Sequence, residues 1–175
     1  MLIATLLGLV ACSGSTEGSA PNLEDRLPTY ESLRGYVDMY WDDSGGRLLL
    51  AIKDFDQPLL YQSSLARGIG SNDLGLDRGQ LGSTKVVSFQ RIGPKVLLVQ
   101  QNMNYRAVSD NADETRAVAE SFARSVIWGF EVLGESDGAV IVDASEFIMR
   151  DSHDIVAYLA EVEEGVYEID PTRSA

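Results

Sequence analysis

Paired apolar runs split by short turns constrain this chain more than any other feature. "RGYVDMYW" (Arg34–Trp41) and "RLLLAIKDF" (Arg47–Phe55) flank Asp42–Gly46, a cluster of Asp, Ser and Gly. "STKVVSFQRI" and "KVLLVQQN" flank Gly93-Pro94, and a third such unit, "GFEVLGESDGAVIVDAS", turns around Glu135–Gly138. Runs rich in branched and aromatic residues, bounded by turn formers, read as β-hairpins. "PLLYQSSL" (Pro58–Leu65) adds another strand, and "GVYEID" (Gly165–Asp170) a last one. Strands joined by tight turns pair antiparallel, because parallel pairing needs a long crossover. The expected class is α+β: a largely antiparallel sheet of hairpins with one main amphipathic helix and one or two short helices.

That main helix is expected over Ala112–Trp128, where Val118, Ala119, Phe122, Ala123, Val126 and Ile127 share a face. Asn111, with Glu114 three residues on, reads as a capping box that fixes its start. Shorter helical stretches are expected near Glu146–Arg150 and over Ser152–Val162. Leu23–Leu33 carries no firm pattern. At 175 residues the chain is long enough for one domain with a real core and short for two.

Charge narrows the partners. The balance of 14 Lys+Arg against 27 Asp+Glu gives −13 at pH 7, with no Lys/Arg-rich run. Nucleic acid and anionic lipid are repelled by such a field, because binding them takes clustered cations that displace counterions. No nucleic-acid partner is expected.

The stretch most suggestive of chemistry is "GIGSNDLGLDRGQLGS", Gly68–Ser83. A phosphate loop of the Walker type needs Lys and then Ser/Thr after its last glycine, but Gly82 is followed by Ser83-Thr84 and Lys85. A dinucleotide fingerprint would need a third glycine at set spacing and a following helix, whereas this loop runs into a strand. Asp73 and Asp77 offer hard oxygen ligands, yet the spacing misses the EF-hand pattern and no glutamate closes the loop. Structure is favoured over ligand: Gly70, Asp73, Gly75, Asp77, Arg78, Gly79 and Gln80 form a structural loop motif. In it glycines take positive φ, Asp side chains bond nearby amides, and Arg78 pairs with Asp73 or Asp77.

Catalytic constellations are not assembled by these residues. One histidine, His153, and one cysteine, Cys12, cannot make a zinc centre of several nitrogen or sulfur ligands. Ser152-His153-Asp154 holds the residue types of a hydrolase triad, but a triad is drawn from distant positions, and Gly-x-Ser-x-Gly is missing. His153 reads as a helix-start or surface residue. No metal or other cofactor is expected in this chain.

The amino terminus has its own signature. An apolar run, Leu2–Ala11, leads to Leu9-Val10-Ala11-Cys12, which resembles the lipobox of bacterial lipoprotein signal peptides, although a positively charged n-region is missing. Cleavage before Cys12 would leave it as the lipidated first residue, anchored to the bacterial membrane. The alternative is a buried N-terminal strand with an incidental thiol. Ser13–Asn22, rich in Ser and Gly, then serves as a tether. The expected organisation is a signal peptide over 1–12, a tether and entry segment over 13–33, and a folded domain over 34–175.

Four blocks follow one another in order: "GIGSNDLGLDRGQLG", "VVSFQRIGPKVLLVQQNMNYRA", "ESFARSVIWGF" and "VDASEFIMRDSHDI". The succession resembles the N-terminal domain of unknown function of bacterial zinc-dependent metalloproteases of the met-zincin type. It covers roughly Tyr36 to the end, and the Leu76–Gln80 core is its most distinctive part. The resemblance implies a non-catalytic accessory domain in the cell envelope, as a periplasmic or outer-membrane lipoprotein. Its partner would be its own downstream protease domain, and that domain's His-Glu-x-x-His-x-x-Gly-x-x-His helix would hold the catalytic zinc. This sequence has no such helix, so the chain reads as a fragment that is itself inactive. The other expectation is a stand-alone, lipid-anchored binding module.

Overall fold

A computed structural model describes residues 23–68, 72–105 and 107–170. Its strands are β1 (Glu31–Leu33), β2 (Asp38–Asp42), β3 (Arg47–Ile52), β4 (Leu59–Tyr61), β5 (Lys85–Ile92), β6 (Lys95–Gln100), β7 (Ser125–Ser136) and β8 (Ala139–Asp143). Its helices are short: α1 (Leu23–Arg26), α2 (Ala112–Ser121), α3 (Ser145–Ile148) and α4 (Ile155–Glu161). The strands form one eight-stranded sheet in the order β1-β2-β3-β8-β7-β6-β5-β4, with neighbours antiparallel throughout. In broad terms this is the expected α+β class with an antiparallel sheet.

Turn chemistry sets the hairpins. Ser136 pairs with Ala139, leaving Asp137-Gly138 as a two-residue loop whose φ values, 49° and 73°, are both positive. That backbone twist matches the strands it joins, and Asp-Gly is among the pairs that adopt it most readily. In the β5–β6 hairpin Ile92 pairs with Lys95, and Gly93 takes φ 57° ahead of Pro94.

The sheet is curled. In a flat sheet β5 would lie four strand spacings from β3, ~19 Å away. Four residues of extended chain reach at most ~14 Å. Yet Asp56, four residues past the end of β3, donates its backbone N–H to the Phe89 carbonyl of β5 at 2.8 Å. The strands must therefore bend round until β3 faces β5. Register shifts at Leu98/Val99 and at Val132/Gly134 help, since bulges increase bend and twist.

Alternation along the strands sorts two cores. Inside the curl, Ile52, Val87, Phe89, Val96, Leu98, Phe130, Val140 and Val142 cluster, with Phe147 of α3 packed against them. On the outer side Leu49, Ala51, Ala139 and Ile141 meet Leu27, with Leu23 and Tyr30 around them. β8 is covered on both faces, so Ala139–Val142 is buried without a break. The N-terminal segment that the sequence left unassigned is thus α1, a 3-10 turn over Leu27–Thr29 and the edge strand β1.

The main helix departs from expectation. It ends at Ser121, and Val126, Ile127 and Trp128 belong to β7, where Val126 pairs with Val99 and Trp128 with Leu98. β-branched and aromatic residues lose rotamer freedom in a helix and pack well on a pleated surface, so pairing with β6 overrides a pattern that also fits a helical period. What remains, α2, buries none of its residues. Asn111 does cap it, accepting from the Asp113 amide at 3.0 Å, but Glu114 makes no return contact to complete the box. Gly165–Asp170, expected as a strand, does not form one. Among these residues no helix is long and apolar enough to cross a membrane.

Candidate functional site

The glycine-rich loop folds back on itself as a narrow ladder. The Gly82 amide donates to Ser63 O at 2.9 Å, the Leu65 amide to Gln80 O at 3.0 Å, and the Gly79 amide to Leu65 O at 2.7 Å. Gly75 and Gly79 take φ of 63° and 82°, and the Gln80 amide closes a turn onto Asp77 O at 3.1 Å. The chain crosses itself so tightly that a β-carbon on Gly68 would stand 2.8 Å from the Leu76 carbonyl. Leu76 is the loop's own anchor, 8% exposed.

The side chains behave differently from expectation. Asp73, Asp77 and Arg78 are all exposed, and no ion pair or hydrogen bond joins Arg78 to either carboxylate. Backbone bonds and Leu76 hold the loop in shape, which leaves a pinning Arg78 unnecessary. Gly70 and Cys12 lie outside the described residues. Among those described, no three His, Cys, Asp or Glu side chains come together as a metal-binding group.

α4 and the segment ahead of it clamp this loop. Tyr158 donates its hydroxyl hydrogen to Leu74 O at 3.1 Å, and the His153 ring packs on Gly82, where a β-carbon would meet its Cε1 at 3.4 Å. Asp151 starts the helix, accepting from the Val156 amide at 2.8 Å and the His153 amide at 3.3 Å. His153 does precede a helix, as its sequence suggested. It is nevertheless half-buried under the loop, with Nε2 lacking a hydrogen-bond partner.

Two polar residues were not legible as functional or structural centres. Arg150 lies 4.5 Å from the Phe147 ring and 5.9 Å from Trp128, and it donates to Tyr61 Oη at 3.0 Å and Phe147 O at 3.1 Å. The guanidinium thus closes the mouth of the inner core over an aromatic cluster, with cation–π attraction added to packing. Phe147 itself meets Phe130, Tyr61 and Trp128 at 5.3, 5.8 and 5.9 Å between centroids. Asp42, expected only as a turn residue, is 1% exposed. It accepts from Ser44 Oγ at 2.7 Å, the Gly45 amide at 3.0 Å, and Arg47 at 3.0 and 3.3 Å, with Arg26 at 3.6 Å. The Ser44 hydrogen bond and then the Arg47 contact hold its carboxyl well below the usual carboxylate range, against the cost of burial.

At one end of the sheet, where β5 begins, β6 ends and β7 begins, lie two adjoining grooves of about 420 and 550 Å3. Gln101, Asn102 and Met103 border both. Tyr105 stacks on Phe122 across one of them, with centroids 4.1 Å apart and planes within 5°. Asn102 Oδ1 accepts from the Asn104 and Tyr105 amides at 3.1 and 3.2 Å, which fixes the loop that carries the Tyr105 ring.

The fold defines an α+β domain built on one curled antiparallel sheet, with a backbone-ordered glycine loop as its most distinctive local feature. Residues 79–175, more than half of the chain, match the family described as Domain of unknown function (DUF5117), and the chain belongs to that family. No curated protein and no solved structure matches it.

Proposed function

We propose that this domain is the non-catalytic N-terminal accessory part of a zinc-dependent metalloprotease of the bacterial cell envelope. The observation that carries the reading is the surface around α2. A helix without a single buried residue, beside the exposed Tyr105–Phe122 pair, is a face suited to another folded unit. The ordered succession of loop, hairpin, "ESFARSVIWGF" and "VDASEFIMRDSHDI" supports the parent class, and membership of a domain family fits an accessory role. On this reading the partner is the downstream protease domain, whose three-histidine helix holds the zinc, and Cys12 carries the lipid anchor.

Sequencing the source DNA beyond the codon for Ala175 tests the parent class. A continuing frame that encodes His-Glu-x-x-His-x-x-Gly-x-x-His is the expected result, and a long frame without it would sink the reading. Lipidation is tested separately. Cys12→Ser should abolish incorporation of labelled fatty acid in a bacterial host, and unchanged incorporation would reject the anchor. A stand-alone binding module is the second reading, and the two grooves at the sheet end favour it.

A further inference from the structure

From the groove beside α2 we infer a binding site for a medium-chain fatty acid, with its carboxylate on Arg124 and its tail along the helix. This inference does not depend on the protease reading.

Lining chemistry singles out this groove. Those away from the sheet end carry at least two carboxylates each: Glu24 with Asp137, Asp42 with Asp43, and Glu131 with Asp143. The groove beside α2 holds none, on a chain with 27 Asp+Glu against 14 Lys+Arg. Met103, Tyr105, Ala107, Val118, Ala119 and Phe122 give it an apolar surface, and Arg124 is the one charged side chain on it among the described residues. At about 550 Å3 it has the size of a small-ligand cleft, apolar for the most part with a few polar groups to fix orientation.

Local structure sets these groups in order. Thr115, Val118, Ala119 and Phe122 stand at i, i+3, i+4 and i+7, and the Phe122 amide still bonds Val118 O at 3.0 Å, so the four lie along one side of α2. Past Phe122 the chain extends and alternate side chains part. Ala123 and Ser125 border the neighbouring groove, whereas Arg124 stays with Phe122, ~6.7 Å further on. Met103 and Tyr105, 42% and 56% exposed, supply the other wall. The lane from Thr115 to Phe122 measures ~10.5 Å, the reach of an extended alkyl tail of about eight carbons.

Arg124 forms no ion pair with a described residue, while Asp113 and Glu120 of α2 are occupied by Arg116 at 2.7 and 3.9 Å. A guanidinium takes a carboxylate through two parallel hydrogen bonds. One cation at the end of an apolar lane therefore selects one anionic head on an apolar tail. A polyanion would need a run of cations, and a neutral lipid would leave Arg124 without a partner. Remote acidic charge does not forbid a single carboxylate, because salt screens it beyond ~8 Å at physiological ionic strength.

Titration calorimetry of the folded protein at neutral pH with decanoate, decanol and decyltrimethylammonium, each below its micelle concentration, tests the site. Decanoate is expected to bind best, and shortening it to octanoate or hexanoate should weaken it about two- to fourfold per methylene. Arg124→Gln should weaken decanoate about tenfold, the scale of one charge-assisted hydrogen bond, while Lys85→Gln, in the neighbouring groove, should change nothing. Ala119→Glu, which keeps a good helix former but sets a carboxylate in the lane, should abolish binding. Melting curves of each variant confirm that it is folded. Bound decanoate should also slow amide exchange across α2, which places the ligand. No binding of decanoate, equal or tighter binding of decanol or decyltrimethylammonium, affinity unmoved by Arg124→Gln or Ala119→Glu, or unchanged exchange in α2 would overturn the assignment.

Discussion

Burial of a carboxylate is tolerated only when donors replace its water, and Asp42 shows how many that takes: a hydroxyl, an amide and two arginines. Asp42→Asn keeps an acceptor but leaves Arg47 without its counter-charge, so the melting temperature should fall by several degrees. The pH dependence follows from the direction of the shift. Because the folded carboxyl titrates below its unfolded value, its contribution is complete above the unfolded pKa of ~3.9 and is lost as pH falls towards the folded one. Acid unfolding of the parent should therefore steepen below about pH 4, and the Asp42→Asn variant should lack that component. Urea titrations at successive pH values would measure both; parallel curves for parent and variant would reject the idea. On the glycine loop the order of importance inverts the one expected from composition. Arg78→Ala should leave the melting temperature nearly unchanged. Gly68→Ala should lower it, since its β-carbon would lie 2.8 Å from the Leu76 carbonyl oxygen and 3.0 Å from the Arg78 amide nitrogen, backbone atoms that cannot rotate aside.

Elements differ in what holds them. Phe147 of α3 fills the mouth of the curl, and Phe147→Ala should cost ~3 kcal/mol in equilibrium unfolding, the low end for a large aromatic because the ring is only partly buried. α2 makes the opposite case: its amides should exchange with solvent at rates close to those of open chain, while those of β8 survive to global unfolding. Protection of α2 equal to that of β8 would contradict this. The same contrast explains what the sequence could disclose. Hairpins were legible because their turn residues and flanking apolar runs are local signals, as at Gly93-Pro94 and Asp137-Gly138. The end of α2 was not, because Val126–Trp128 satisfies a helical stripe and a strand alike, and only β6 decides between them. Arg150 and Asp42 were hidden for a related reason. Tyr61, 89 residues before Arg150, leaves no local trace of their contact, and the five-residue gap from Asp42 to Arg47 looks like any polar turn.

As a whole molecule the domain is larger than the family match. Residues 79–175 supply β5 to β8, but β8 is bonded to β3 and β5 to β4, and Ile52 belongs to the inner core. A chain cut to 79–175 would bare β8 and β5 as edges and open one side of the core. It should show no cooperative thermal transition, whereas 23–170 should melt in a single step; calorimetry of the two distinguishes them. The two grooves at the sheet end lie wholly inside the matched region, yet the curl that shapes their surroundings depends on the strands before it.

The pairing of β3 with β8 also sets a clock. Ile52 meets Val140, and Leu49 meets Asp143, so about half the chain must be made between one partner and the other. At ~5–20 residues per second of synthesis, β3 waits on the order of 5–18 s for its neighbour. Through that interval the β2–β3 hairpin carries an unsatisfied row of amides and carbonyls, open to any strand it meets. Nascent chains halted before residue 139 should be cut readily within β2–β3 and held by chaperones, and chains released after 170 should resist. A domain that closes only when its last strand arrives is guarded during its making by other proteins, and afterwards by itself.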